Sequence, residues 1–207
     1  MKAKTASRRQ KILDVAAEVF RETGFERASM DEVSQRGGGS KATIYNYFAS
    51  KEELFFDVVY RAAEVQLAAT EAALDSGEPD LRVALERFGQ RFLAMLYSPD
   101  VQAARRLVIA EGGRGGLGRK CYEMAPARCL AMLDSFLQQA IAQGKLRPAD
   151  TAIASVHLRG LLEAELAEKY LFHTLGPVTE ADIAAIVERA VGVFLAAYGP
   201  PGYLPDR

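Results

Sequence analysis

SMDEVSQRGGGSKATIYNYFASKEEL, residues 29–54, is the stretch whose reading decides the fold. Ser29 followed three residues later by Glu32 is a capping box, which satisfies orphan backbone donors at a helix start. The run Gly37-Gly38-Gly39 ends that helix. Ser40-Lys41-Ala42-Thr43 then opens a second, shorter one carrying Ile44, Tyr45, Tyr47 and Phe48. Two short helices joined by a glycine turn are a helix-turn-helix layout, whose second helix enters the major groove of DNA. Ser50-Lys51-Glu52-Glu53 repeats the capping signal and starts the next helix.

Outward from this stretch, nearly everything predicts helix. Before it, residues 8–23 place Ile12, Leu13, Ala16, Val19 and Phe20 on one stripe at 3.6-residue spacing, ending at Gly24. After it, a long helix is predicted from Lys51 towards Leu74, and 75–80 is a loop rich in turn-forming residues. Leu81, Leu85, Phe88, Phe92 and Met95 mark the next helix. A shorter one covers 101–111, and the glycine-rich 112–118 ends it. Residues 119–143 read as one helix bent at Pro126 and capped by Gly144. Residues 149–171 form another, and Thr179 with Asp182 caps a last helix running to Tyr198. About nine helices, no strand and no repeat predict an all-α fold: a three-helix unit over 1–50 and a bundle of about six helices over 51–207.

The chain of 207 residues is 49% hydrophobic and 26% charged, the composition of a globular protein with ample core. It shows neither an apolar run long enough to span a bilayer nor a signal-peptide pattern, which points to the cytoplasm and away from membranes. The net charge of −1 divides unevenly. Residues 1–50 carry nine basic and six acidic side chains, whereas 51–207 carry 17 and 21. Lys2, Lys4, Arg8, Arg9 and Lys11 fall in the first eleven residues with no acid among them, a basic arm suited to phosphate contacts that ignore sequence. Cys121 and Cys129, eight apart on one helix, would lie about 12 Å from each other, too far to bridge.

The order Ser-Lys-x-Thr-Ile-Tyr-x-Tyr-Phe-x-Ser-Lys-Glu-Glu-Leu closely resembles the DNA-binding region of the TetR family of bacterial transcriptional regulators. The resemblance implies roles for single residues. Lys41, Ala42, Thr43 and Asn46 would reach base edges or nearby phosphates, and Tyr45, Tyr47 and Lys51 would contact the phosphate backbone. Independently, Thr and Tyr hydroxyls and Lys ammonium groups are common phosphate partners, while Asn pairs with adenine and Lys with guanine. Ile44 and Phe48 are expected to point inward. The turn departs from the family's Ala-Gly-Val-Ser: Gly37 and Gly39 replace side chains that usually pack, and Ser34 replaces an alanine, which predicts a loose reading head.

Farther along, Arg106-Leu107-Val108-Ile109-Ala110-Glu111 and Gly144-Lys145-Leu146-Arg147 with Asp150 resemble the C-terminal domain of the subgroup of AefR and AcrR repressors. That resemblance implies a small-molecule effector inside the bundle and a homodimer through the last two helices. The partners would be a double-stranded, pseudo-palindromic DNA operator, an apolar or amphipathic effector and a second copy. No cofactor or metal is expected, and the function implied is a ligand-responsive repressor rather than an enzyme. Candidate pocket linings are Phe88, Phe92, Met95, Met124, Met132 and Phe136, with Tyr60, Arg105 and His157 as polar groups, a mix typical of ligand sites. Ile183, Ile186, Val187, Ala190, Phe194 and Ala197 on the last helix, with Val156, Gly160, Ala164 and Ala167 on the previous one, suit either a dimer contact or intrachain core. Gly113–Gly118 matches G-x-G-x-x-G, but no βαβ unit surrounds it, which argues against a dinucleotide site.

Overall fold

A computed structural model describes residues 2–74, 77–113, 116–200 and 202, with the side chains of 2–5 outside that description. The arm lysines Lys2 and Lys4, Arg114 and Gly115 of the glycine motif, and the tail beyond Gly202 therefore lie outside the described side chains. The described residues form twelve helical segments and no strand. They fall into two compact units, one of 1–64 with 99–122 and one of 65–98 with 123–207. The boundary expected near Ser50 thus lies inside the first unit.

In the first unit, α1 (Lys2–Arg27) is longer at its N-terminus than the apolar stripe predicts, and Gly24 interrupts it with φ 75° and ψ 164°. That conformation is open to glycine at no steric cost, so Gly24 ends the regular helix where the sequence places the stop. α2 (Met30–Gly37) and α3 (Lys41–Tyr45) follow, then α4 (Lys51–Ala62), α7 (Pro99–Glu111) and the first part of α8 (Leu117–Met124). Ile12, Leu13, Ala16, Val19 and Phe20 of α1 bury themselves with Val33, Ile44, Phe48 and Leu54 in one cluster. The rings of Phe20, Phe25 and Phe55 meet there, with Phe55 5.0 Å from each of the other two. Each fully buried side chain of this size stabilises by roughly 1.5–3 kcal/mol, which is what orients α3.

The predicted helix from Lys51 to Leu74 is divided: α4 stops at Ala63, and α5 (Glu64–Ala72) begins anew. The predicted bend at Pro126 is likewise a full break, with Pro126 at the first position of α9 (Pro126–Ala142). Proline there lacks only an N–H that no intrahelical acceptor would take. The second unit holds α5, α6 (Leu81–Leu96), α9, α10 (Thr151–Glu163), α11 (Ala167–Leu171) and α12 (Glu180–Tyr198). Its centre is Leu85, Phe88, Leu93, Leu133, Leu137, Leu158, Leu162 and Phe194. A Cβ added at Gly89 would stand 2.8 Å from side-chain carbons of Leu162 and Val187, so α10 and α12 pack these side chains directly onto the α6 backbone.

Ile183, Ile186, Val187, Ala190 and Phe194 are buried in this core, so the intrachain alternative accounts for them. Among the described residues, no helix is long and apolar enough to cross a membrane. Leu107, Val108 and Ile109, which precede the glycine motif, lie in α7 rather than in a strand, so the dinucleotide reading has no scaffold.

Candidate nucleic-acid interface

α2, α3 and α4 each start at a serine. The hydroxyl oxygens of Ser29, Ser40 and Ser50 accept from the backbone N–H of Glu32, Thr43 and Glu53. The expected reciprocal half of the boxes is absent. The Glu32 carboxylate accepts instead from Arg36 at 2.7 Å, and Glu53 accepts from the Ala49 N–H at 2.7 Å. A full capping box does form at Thr179 and Asp182.

The turn between α2 and α3 is closed by three bonds. Gly38, in the left-handed region at φ 65°, donates to the Gln35 carbonyl, and Gly39 donates to the Ser34 carbonyl, a Schellman arrangement. The Ser34 hydroxyl then donates to the Gly39 carbonyl at 2.6 Å. The serine that stands where the family has alanine thus ties down the turn that the extra glycines would loosen.

α3 then presents two faces. Ile44 and Phe48 point into the core, Phe48 with no exposure at all. Lys41, Ala42, Tyr45 and Asn46 face outward, Tyr45 with 44% of its surface exposed, and Thr43 and Tyr47 are half-buried at the edge. The Thr43 hydroxyl lies 2.9 Å from that of Ser40. Lys41 pairs with Asp31 at 2.9 Å, and hydrogen bonding to that carboxylate raises its pKa, so the ammonium stays charged. Both partners are more than half exposed, and such surface pairs are worth little, so Lys41 can exchange Asp31 for a DNA acceptor.

Lys51 is placed differently. Its ammonium donates to the carbonyls of Phe25, Glu26 and Ala28 at 2.9, 3.3 and 3.2 Å and lies 4.3 Å from the centre of the Phe25 ring. It caps the carbonyl end of α1 beside the Gly24 break, and all three of its donors are taken.

The sequence did not reveal a charged cluster beneath the head. The Asp57 carboxylate, buried on α4, receives Arg9 at 2.5 Å and Lys120 of α8 at 2.8 Å on the same oxygen, Oδ2. Lys120 also reaches Glu53 at 2.6 Å. Burial raises the Glu53 pKa, but the hydrogen bonds from Lys120 and the Ala49 N–H outweigh it and leave the group lowered. Burial pushes the neighbouring Cys121 thiol up to about 12, which keeps it an inert core thiol. A basic residue in the predicted arm and acids at i, i+4 on α4 were the only signals, and the partner from residue 120 had none.

The pocket candidates divide between the two units. Phe88 and Phe92 stack on each other at 5.6 Å inside the second unit's core, and Phe136 is buried there too. Met95, Met124 and Met132 are half-buried. Phe136 borders a recess of about 10 Å³ with Glu78, Leu81, Ala140, Gln143 and Lys145, room for one water. Tyr60 and Arg105 belong to the first unit, where Tyr60 stacks on Phe56 at 6.0 Å. His157 is not in the bundle interior: it is exposed on α10, and its Nδ1 lies 2.6 Å from the Tyr198 hydroxyl.

The head's architecture, with a buried inner face on α3 and a polar outer one, defines a helix-turn-helix DNA-binding protein with a separate helical bundle. Residues 12–58 match the model of the "Bacterial regulatory proteins, tetR family", and 83–200 match that of the "AefR-like transcriptional repressor, C-terminal domain". The chain is 37% identical over 84 residues to the transcriptional activator FasR of Mycolicibacterium smegmatis, covering 39% of this chain and 38% of that protein. It is 27% identical over 208 residues to the regulator SrpR of Pseudomonas putida, covering 98% and 91%. A solved structure of a Mesorhizobium loti protein assigned to the same family superposes with a TM-score of 0.79 at 29% identity, covering 94% of this chain and 98% of that one. The chain belongs to the TetR family and is a DNA-binding transcriptional regulator of the ligand-responsive kind.

Proposed function

We propose that this regulator is a dimeric repressor that binds a pseudo-palindromic operator through α3 and leaves it when a small apolar or amphipathic molecule enters the bundle. The observation that carries the reading is the outward face of α3, where Lys41, Ala42, Thr43, Tyr45, Asn46 and Tyr47 lie on the side away from Ile44 and Phe48. Lys41, Thr43 and Asn46 offer donors to base edges, and Tyr45 and Tyr47 offer hydroxyls to phosphates. Lys51 serves instead as the brace that holds α1, the turn to α2 and α4 together. Such a protein works on DNA in the cytoplasm.

Two heads need a two-fold assembly to meet two half-sites. Ile153 and Val156 on α10, 50% and 51% exposed, continue into the exposed Gly160 and Ala164 on the same face. On α12, Val193 is 55% exposed and Ala196 lies on the surface beside it. Small residues flanking branched ones allow the close isologous contact of a four-helix dimer interface. The second unit supplies the apolar surroundings for the effector, around the Phe88 and Phe92 stack and the flexible methionines Met95, Met124 and Met132. A ligand pocket spans about 300–1,000 Å³, and an effector would gain room there by displacing these side chains. Methionine suits such repacking because it is unbranched and soft.

The test is selection of genomic fragments with the purified protein, followed by affinity against salt on the recovered duplex. A two-fold symmetric site bound with steep salt dependence is the expected result. Weak binding without sequence preference would refute the operator reading, and binding that no small molecule alters would leave a constitutive DNA-binding dimer.

A further inference from the structure

We propose that Arg8 is a DNA-phosphate contact seated against α3 by the absence of a side chain at Gly39, which rests on the reading of α3 as the DNA-reading helix. Two adjacent arginines on α1 diverge. Arg9 turns inward, over the Phe48 ring at 5.1 Å and onto Asp57. Arg8, one residue round the helix, reaches across to the turn, where its Nη2 donates to the Gly38 carbonyl at 3.4 Å. That bond is long, and a guanidinium has five donors, so four remain for a ligand.

Gly39 accounts for the position. Gly38 needs to be glycine because its φ is 65°, but Gly39 has no positive φ and its backbone would accept any residue. What a side chain at 39 would meet is Arg8: an added Cβ would fall well inside van der Waals contact of Arg8 Nη2. On the other side, the same Cβ would stand 3.9 Å from the Thr43 Cβ. The Arg8 guanidinium and Thr43 therefore flank one small gap at the leading edge of α3. The Ser34 hydroxyl holds the Gly39 carbonyl and keeps the gap in place.

A planar guanidinium across this gap from Thr43, whose hydroxyl lies 2.9 Å from that of Ser40, suits a phosphate oxygen pair, which arginine binds bidentately. Arg8 approaches from α1, outside the reading helix, so it meets the backbone at the groove's rim rather than a base edge.

Arg8→Ala should weaken binding to the selected duplex roughly tenfold per head, evenly across variant sequences, and lower the salt slope by about 0.9 per head. Gly39→Val should weaken binding by a similar factor in the parent and have no further effect in the Arg8→Ala background, because both remove one contact. Relaxed discrimination at a single base pair in Arg8→Ala would overturn the phosphate assignment. An equal loss from Gly39→Val in both backgrounds would overturn the seat. Lys41→Ala and Tyr45→Phe separate the two levels of the argument. If they weaken binding and Arg8→Ala does not, the Arg8 inference fails alone; if none of the three does, the reading of α3 fails with it.

Discussion

Lys51→Met gives the sharpest test of how the head is held together. Methionine keeps most of the apolar stem but removes three charge-assisted hydrogen bonds and a cation above the Phe25 ring. Hydrogen bonds to charged groups contribute about 1.5–3 kcal/mol when well formed. Only the bond to Phe25, at 2.9 Å, is near the best length; those at 3.2 and 3.3 Å are longer and share one ammonium, so each adds a fraction of that. The cation–π contact adds about 0.5–1 kcal/mol at a half-exposed site. Of the three bonds, only that to Glu26 is exposed, so water returns part of its share. The net destabilisation expected is about 2–3 kcal/mol, or roughly 5–10 °C in melting temperature for a chain of this size.

The assay is denaturant unfolding and thermal melting of the full chain, alongside DNA affinity measured at several salt concentrations. If Lys51 is a brace, Lys51→Met melts early, and its affinity, measured at a temperature where it is folded, keeps the parent's salt slope. A melting point within about 1 °C of the parent together with a salt slope lower by about 0.9 per head would refute this, and Lys51 would be a phosphate contact. Lys51→Arg should not rescue fully, because a planar fork cannot address three carbonyls converging on one point as an ammonium does.

Gly37 lies inside α2 without a positive φ and with open space where a Cβ would go, so Gly37→Ala should stabilise by about 0.5–1 kcal/mol without changing DNA affinity, as unfolding and binding measurements would show. Below about pH 4.5 the Glu53 contribution should fade. Its folded pKa is lowered, so the stability it brings is complete above the ordinary carboxylate value of 4.5 and is lost as pH falls through the folded value. Lys120→Met removes the largest lowering partner of Glu53, so its stability curve should fall less steeply across the same acid window.

The parts of the fold that were legible in the sequence are those written locally. Ser29, Ser40 and Ser50 cap helices because a hydroxyl accepts from a backbone N–H three residues on, and Gly24, Gly38 and Gly144 stop helices because they alone sit easily at positive φ. Ile44 and Phe48 were assigned to the core by spacing and are there. The break at Ala63 was not legible, since the apolar stripe runs on through it, whereas Pro126 marked a bend where the structure has a full break. Lys51 and Lys120 were unreadable for a different reason. Their partners are 23–26 and 63–67 residues away, and an isolated lysine looks the same whether it meets phosphate, carbonyls or a buried aspartate. Phe88, Phe92 and Phe136 share the spacing of pocket and core alike, and only burial separates the two. The final helix shows the same ambiguity resolved by position: Ile186 and Phe194 are core, whereas Val193, on the adjoining face, is exposed.

The placement of residues 99–122 with the head limits how an effector can act. The chain leaves the first unit after Glu64, returns at Pro99 and leaves again after Tyr122, so the head is joined covalently to the bundle at three points rather than one. Within the first unit, α7 packs on α4, and Lys120 binds the same Asp57 oxygen as Arg9 of α1. An effector that shifts the return segment therefore pulls on α4 and α1 together, and the reading helix, held to α1 through Phe48 and Ile44, must follow or lose core contacts. Such a shift is thermodynamically reciprocal: the factor by which effector weakens DNA binding is the factor by which DNA weakens effector binding. To carry the operator-bound population from 99% to 1%, the effector must favour the released form about 10⁴-fold.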